Sequence, residues 1–147
     1  MTKDSMTIRK FRIEDYDQVI KLWQESELEH RPTGRDTRER IAAEIEKETA
    51  IFLVAEINDE IVGTIFCTHD GRKGWLNRLS VLPKMQRKGI ASDLIKEGEK
   101  RLRELGIGVL CALIWKSNSS SKELFESEGY DLLEDALYFV KKDRPDI

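Results

Sequence analysis

From Leu79 to Ser92 the chain reads Leu-Ser-Val-Leu-Pro-Lys-Met-Gln-Arg-Lys-Gly-Ile-Ala-Ser. That is an apolar strand, a short basic loop with one glycine, and the opening of a long amphipathic helix. A helix N-terminus leaves backbone N–H groups unpaired, and its dipole favours negative charge there. Gly89 puts no side chain in the way of a close approach, and Lys84, Arg87 and Lys88 add three cations around the same turn. Such a place suits a pyrophosphate. Neither the Walker pattern G-x-x-x-x-G-K-S/T nor the dinucleotide pattern G-x-G-x-x-G occurs anywhere in the chain, so the phosphate chemistry is not of those kinds.

The elements that hold this turn can be read outward from it. Ile90 to Leu105 is a helix with Ala91, Leu94, Ile95, Gly98, Leu102 and Leu105 on one face, stopped by Gly106. Before it, Ile51–Ile57, Ile61–Thr68 and Gly74–Leu82 are strand-like runs joined by Asn58-Asp59 and Asp70-Gly71, an antiparallel meander. Thr7–Phe11 is a first strand. Tyr16, Val19, Ile20 and Trp23 give helical spacing, residues 27–36 break it with Pro and Gly, and Asp36 with Glu39 resembles a capping pair for a second helix through Ile41 and Ile45. Val109–Trp115 is continuously apolar, as in a strand buried on both faces. Ser117-Asn118 caps a short helix ending near Glu128 and Gly129, and Ala136–Lys142 is a last strand before a charged tail. The order β-α-α-β-β-β-α-β-α-β predicts an α/β fold with a mixed sheet and helices on both sides, one domain over residues 1–147.

Composition bounds what such a domain does. Charged residues make up 36% and hydrophobic ones 39% of 147 residues, a globular profile. A net charge of −3 gives no general attraction to nucleic acid. No apolar run reaches the length of a membrane span and no signal-peptide core opens the chain, which points to a cytoplasmic protein with reduced Cys67 and Cys111. His69 beside Asp70 lacks further ligands at suitable spacing, so the pair reads as a turn and no metal is expected.

Gln86-Arg-Lys-Gly89-Ile-Ala91 matches the Q/R-x-x-G-x-G/A signature of the GNAT superfamily of acetyl-CoA-dependent N-acetyltransferases. The element order resembles that fold along essentially the whole chain. Asn118-Ser-Ser-Ser121-Lys-Glu-Leu124-Phe125 with Gly129-Tyr130 is similar to the family's N-x-x-A/S-x-x-F/L-Y-x-x-x-G-F/Y segment, and Asp70-Gly-Arg-Lys-Gly-Trp75 is similar to its small YpeA-like branch. The resemblance implies an acetyl-CoA co-substrate whose pantetheine arm enters between splayed fourth and fifth strands. Its amides would pair with backbone at Leu79 and Val81, and its pyrophosphate would meet Gln86, Arg87, Lys88, Gly89, Ile90, Ala91 and Ser92. Asn118, Ser121 and Phe125 would line it from the fourth helix.

The resemblance also locates departures. Many family members place a tyrosine beside the thioester sulfur to protonate the departing thiolate, and that position here is Phe125, which has no proton to donate. Ser121 and Cys111 are substitutes to weigh. The fourth strand carries no carboxylate to act as base, only Trp75, Asn77, Arg78 and Ser80. Asn77 could hold a water, and His30 titrates in the useful range. The catalytic residues therefore stay unassigned. The acceptor side is expected among Trp23, Glu27, Glu29, His30, Arg31, Arg35, Trp75 and Asn77. The arginines suit an acceptor bearing a carboxylate and the glutamates a polyamine. The acceptor is expected to be a small-molecule amine or the amino group of a peptide or protein, and the fold leaves a homodimer through the last strands open. The competing expectation is an acyl-CoA-binding sensor or partner module with weak or no catalysis.

Overall fold

A computed structural model describes residues 5–147. Four strands form the antiparallel part of one sheet: β1 (Thr7–Lys10), β2 (Ala50–Ile57), β3 (Glu60–His69) and β4 (Lys73–Val81). A fifth, β5 (Val109–Cys111), joins β4 in parallel, so the sheet is mixed and ordered β1-β2-β3-β4-β5. The helices are α1 (Tyr16–Glu25), α2 (Arg38–Ile45), α3 (Ile90–Glu104) and α4 (Ser119–Ser127). The meander turns as its sequence demands. Asn58 and Asp59 both take positive φ, 50° and 63°, matching the twist of a two-residue hairpin. Asp70 accepts from the backbone N–H groups of Arg72 and Lys73, and His69 Nδ1 accepts from Gly71 N–H.

Successive residues of β3 face opposite sides of the sheet, and this places the helices. A Cβ at Gly63 would meet Leu94 and Ile90 of α3, whereas the next residue, Thr64, accepts a hydrogen bond from Trp23 of α1. Thus α1 and α3 cover opposite faces. The core lies between them, with Leu22, Trp23, Leu53, Ile65, Leu94, Ile95 and Leu102 fully buried. Beside α3 runs α4, where Tyr130 donates to Glu99 of α3 and Phe125 meets the Tyr130 ring edge-on at 5.0 Å.

Three expectations are corrected. The last strand, Ala136–Lys142, does not form: the segment joins no ladder, and Tyr138 and Phe139 stay 70% and 86% exposed. A strand is stable only through a ladder partner, and the five-stranded sheet ends at β5 without it. The run Val109–Trp115 is not buried on both faces either. Its strand ends at Cys111, and Val109, Leu113 and Trp115 are about half exposed or more, because β5 is the sheet's edge. Finally, α2 is capped by Thr37, whose side chain accepts from Arg40 N–H, while Asp36 turns inward and is buried.

Candidate functional site

The centre of the site is a parting of two strands. β4 and β5 pair only at Lys73–Val109, Gly74–Leu110 and Trp75–Cys111. Beyond that point they separate, leaving the rest of β4 with β3 on one side and no strand on the other. Leu82 N–H donates to Val62 of β3, so by the alternation of backbone direction Val81 and Leu79 aim their N–H and C=O groups into the opening. In agreement, the Val81 carbonyl accepts from the Gln86 side chain at 3.2 Å rather than from β3.

Directly below the opening, the chain turns into α3 through two left-handed residues, Arg87 at φ 63° and Gly89 at φ 80°. Gly89 is the N-cap, no side chain caps the helix, and its carbonyl accepts from Asp93 N–H as the first helical bond. A glycine is needed there because an L side chain is strained at positive φ. Left-handed residues next to a helix start turn successive N–H groups toward one point, a concavity suited to an anion. Arg87 and Lys88 are exposed and enter no ion pair among the described residues, whereas Lys84 is held by Glu60 at 3.0 Å. Ile90 is buried, its role being in the core, and Ala91 is half-buried. The Ser92 hydroxyl is engaged by the Glu128 carboxylate at the end of α4.

Facing this from α4, Asn118 accepts from Ser121 N–H at 3.1 Å and caps the helix, as its position predicts. Phe125 is buried, a core ring under Tyr130 rather than an exposed group. The Tyr130 hydroxyl offers no substitute acid, since it is committed to Glu99 at 2.7 Å, and burial together with that carboxylate pushes its phenol pKa upward. Cys111 is half-buried at the parting point.

The acceptor-side candidates fall into two groups. Trp75 and Asn77 lie on one face of β4, Asn77 opposite Phe66, and the Phe66 ring stacks through Phe52 toward Trp23. Trp23 itself is no surface residue. It is fully buried, with Nε1 donating to Thr64 at 2.9 Å, so its part is to support the site from beneath. His30 leans on Trp23 at 5.6 Å, its Nδ1 3.0 Å from the Leu28 carbonyl. A carbonyl only accepts, so Nδ1 is the donor there, and the buried Nε2 has no protein partner among the described residues. Arg31 pairs with Glu29 at 2.7 Å, Glu27 lies at the end of the α1 turn with φ 58°, and Arg35 is exposed.

What joins the groups was not legible as a motif. In β4 a bulge sets Arg78 and Leu79 against Ile65 alone, with Arg78 at φ 54°. Thr64 Oγ1 donates to the Arg78 carbonyl at 2.8 Å, and the Arg78 guanidinium pairs with buried Asp36 at 2.7 Å while lying 5.7 Å from the Trp23 ring. Asp36 also accepts from Arg31 N–H at 2.6 Å. The loop between α1 and α2 is thereby tied to the bulge. The only sequence signal was an arginine within an apolar strand and an aspartate in a loop of arginines. Among the described residues no group of three His, Cys, Asp or Glu side chains could hold a metal ion, and no helix is long and apolar enough to cross a membrane.

A mixed sheet that parts beside an uncapped glycine helix start defines a class, the acyl-CoA acyltransferases of GNAT type, and the comparisons agree. Residues 16–130 match the Acetyltransferase (GNAT) family, and the chain belongs to that family. The fold is similar to that of PaiA N-acetyltransferase from Thermoplasma acidophilum, solved with coenzyme A, with a TM-score of 0.79 at 23% identity over 90% of this chain and 93% of that one. An aminoglycoside acetyltransferase from an uncultured soil metagenomic sample gives 0.80 at 18% identity over 97% and 99%. The ribosomal-protein-S18-alanine N-acetyltransferase of Escherichia coli gives 0.72 at 18% identity over 84% and 76%.

Proposed function

We infer that this protein transfers the acetyl group of acetyl-CoA to a primary amine by direct attack in a ternary complex. The observation that carries the reading is the parting of β4 from β5 immediately beside the left-handed Arg87 and Gly89. Leu79 and Val81 present unladdered backbone to the pantetheine amides, Gln86 releasing the Val81 carbonyl as they bind. The N–H groups from Arg87 to Ser92, with the side chains of Arg87 and Lys88, take the pyrophosphate. Each such charge-assisted bond contributes ~1.5–3 kcal/mol. Asn118 and Ser121 face the arm from α4, and the Phe125 ring backs it.

The acceptor approaches past Trp75, Asn77 and the loop carrying His30 and Arg31. Attack forms the N–C bond and breaks the C–S bond; the amine loses a proton and the departing thiolate gains one. The chain's contribution is orientation and stabilisation of the oxyanion, which survive without a tyrosine acid or a carboxylate base. General acid–base groups typically add ~10²–10⁴-fold, so a slow enzyme is expected. Fold relatives range from an aminoglycoside acetyltransferase to a protein-alanine acetyltransferase, which supports an amine acceptor of either a small molecule or a polypeptide terminus.

One observation favours a second reading, an acyl-CoA-binding module without turnover: Phe125 stands buried where the acid is usual, and Tyr130 is committed to Glu99. Calorimetric titration with acetyl-CoA tests the shared part. One-to-one binding is expected, weakened at least tenfold in Gly89→Val, because valine resists the left-handed cap and fills the approach. No heat of binding from a folded wild-type protein sinks both readings. Steady release of CoA thiol with a panel of primary amines then separates them, and turnover indistinguishable from buffer for every amine leaves only the binding module.

A further inference from the structure

Glu128 is the C-cap of α4, and its carboxylate accepts from the Ser92 hydroxyl of α3. Both residues are half-buried, and a neutral hydroxyl is the partner the carboxylate has; it meets no cation among the described residues. An ion drawn partly out of water without a counter-ion is costly, so something else must favour a charge there. The start of α3 does so. Ser92 is the third residue of that helix, Asp93 N–H is the first to be bonded within it, and no side chain caps it. The N–H groups of Ile90, Ala91 and Ser92 therefore carry the partial positive charge of the helix end. Asp93, the acid of that first turn, is fixed to α3 itself. Glu128 is an anion brought in from another element.

A pyrophosphate and this carboxylate compete for one place. Ser92 belongs to the run whose N–H groups take the pyrophosphate, and its side chain already holds a negative group. Two like charges a few ångströms apart repel enough to change an equilibrium roughly tenfold near a protein surface. Arg87 and Lys88, both exposed, attract the incoming anion from the loop side, whereas Glu128 opposes it from the α4 side. The opposition can move aside. Glu128 ends its helix, Gly129 follows at φ 92°, and one hydroxyl holds the side chain. Tyr130, bonded to Glu99, keeps the chain docked on α3 when that contact opens.

We propose that Glu128 is a specificity-determining residue, an internal anion that occupies the start of α3 until the pyrophosphate of acetyl-CoA displaces it. This rests on the reading of that helix start as the pyrophosphate site. A ligand that brings only phosphates must displace Glu128 with nothing else to offset the cost. Acetyl-CoA also brings its pantetheine arm to Leu79 and Val81, and those contacts offset it. Charge sharpens the difference. Esterified at both ends, the pyrophosphate of acetyl-CoA carries fewer negative charges than the free ion, so the repulsion falls more heavily on the free ion. The carboxylate thus keeps small phosphates from holding a cradle that would otherwise suit them, and leaves acetyl-CoA able to bind.

Glu128→Gln keeps an oxygen for the Ser92 hydroxyl and removes only the charge, so the circular dichroism spectrum should be unchanged. Calorimetric titration of the whole chain with acetyl-CoA should show roughly tenfold tighter binding in the variant than in wild type, and titration with inorganic pyrophosphate a larger gain. At ~1 M salt, where charges more than ~3 Å apart are screened, both gains should shrink toward none. A merely structural contact predicts unchanged or weaker binding at every salt concentration, and either result overturns the proposal. The two ligands separate it from the reading beneath it. Tighter pyrophosphate binding in Glu128→Gln, with no acetyl-CoA binding by either protein, keeps the internal anion and sinks the transfer function. Unchanged pyrophosphate binding sinks the internal anion whatever acetyl-CoA does.

Discussion

Cys67, fully buried, and Tyr130, half-buried, flank α3 as two protonated groups. Cys67 lies within 2.8 Å of where a Cβ on Gly98 would stand, and burial, then the nearby Glu99 charge, pushes its thiol up to about 12. Tyr130 is raised by burial and by its bond to Glu99. In the unfolded chain these groups ionise near ~8.5 and ~10. Between those values and the folded ones the native state holds protons that the unfolded state has released. Stability therefore falls as pH rises above about 9, by up to ~1.4 kcal/mol per pH unit for each group. Tyr130→Phe removes one of them, and urea unfolding at pH 8, 9.5 and 10.5 should show a shallower decline than wild type. An identical slope in both proteins would refute the assignment. Arg78 shows the opposite use of a single residue. Its left-handed backbone costs on the order of 1–2 kcal/mol, and it is held by three neighbours, Thr64 at its carbonyl, Asp36 at its guanidinium and the Trp23 ring beside it.

Among the elements, the loop between α1 and α2 depends most on one contact. Asp36 is buried and serves Arg78 and the Arg31 N–H together. Asp36→Ala leaves a half-buried cation unpaired and a backbone donor unsatisfied, so a loss of ~2–4 kcal/mol is expected in denaturant unfolding. Hydrogen exchange in residues 27–36 should rise with it. A change under ~0.5 kcal/mol would mean that the loop is fixed by apolar packing instead. The elements around it were readable because each follows a local rule. The meander shows β-branched and apolar runs with turn residues between them, α3 shows a 3.6-residue face ended by Gly106, and Asn118 caps α4 through Ser121. The cap of α2 falls one residue later than the sequence suggests, since Asp36 and Thr37 are both good caps and the half-buried Arg78 competes for the aspartate.

At the scale of the molecule we propose a single domain over the whole chain, on the ground that one core joins both sheet faces. Calorimetry should then show one transition whose van't Hoff and calorimetric enthalpies agree. Two resolved transitions would separate α4 and the segment after it from the rest. The segment after α4 is also where local reading failed. Ala136–Lys142 has the composition of a strand, but a strand needs a ladder that no local pattern can supply.

The sequence by itself determined the element order as far as α4, the glycine turn and the family, because caps, turns and periodicity act over a few residues. It also marked Phe125 and the carboxylate-free fourth strand as departures, which only residue identity reveals. Tertiary structure alone decided the rest. The Arg78 bulge, the descent of Trp23 into the core, the capture of Ser92 by Glu128 and the parting of β4 from β5 join residues 36 to 42 apart in sequence or turn on strand pairing. Such contacts depend on which groups folding leaves within reach and away from water, and that is a property of the assembled sheet and not of any segment within it.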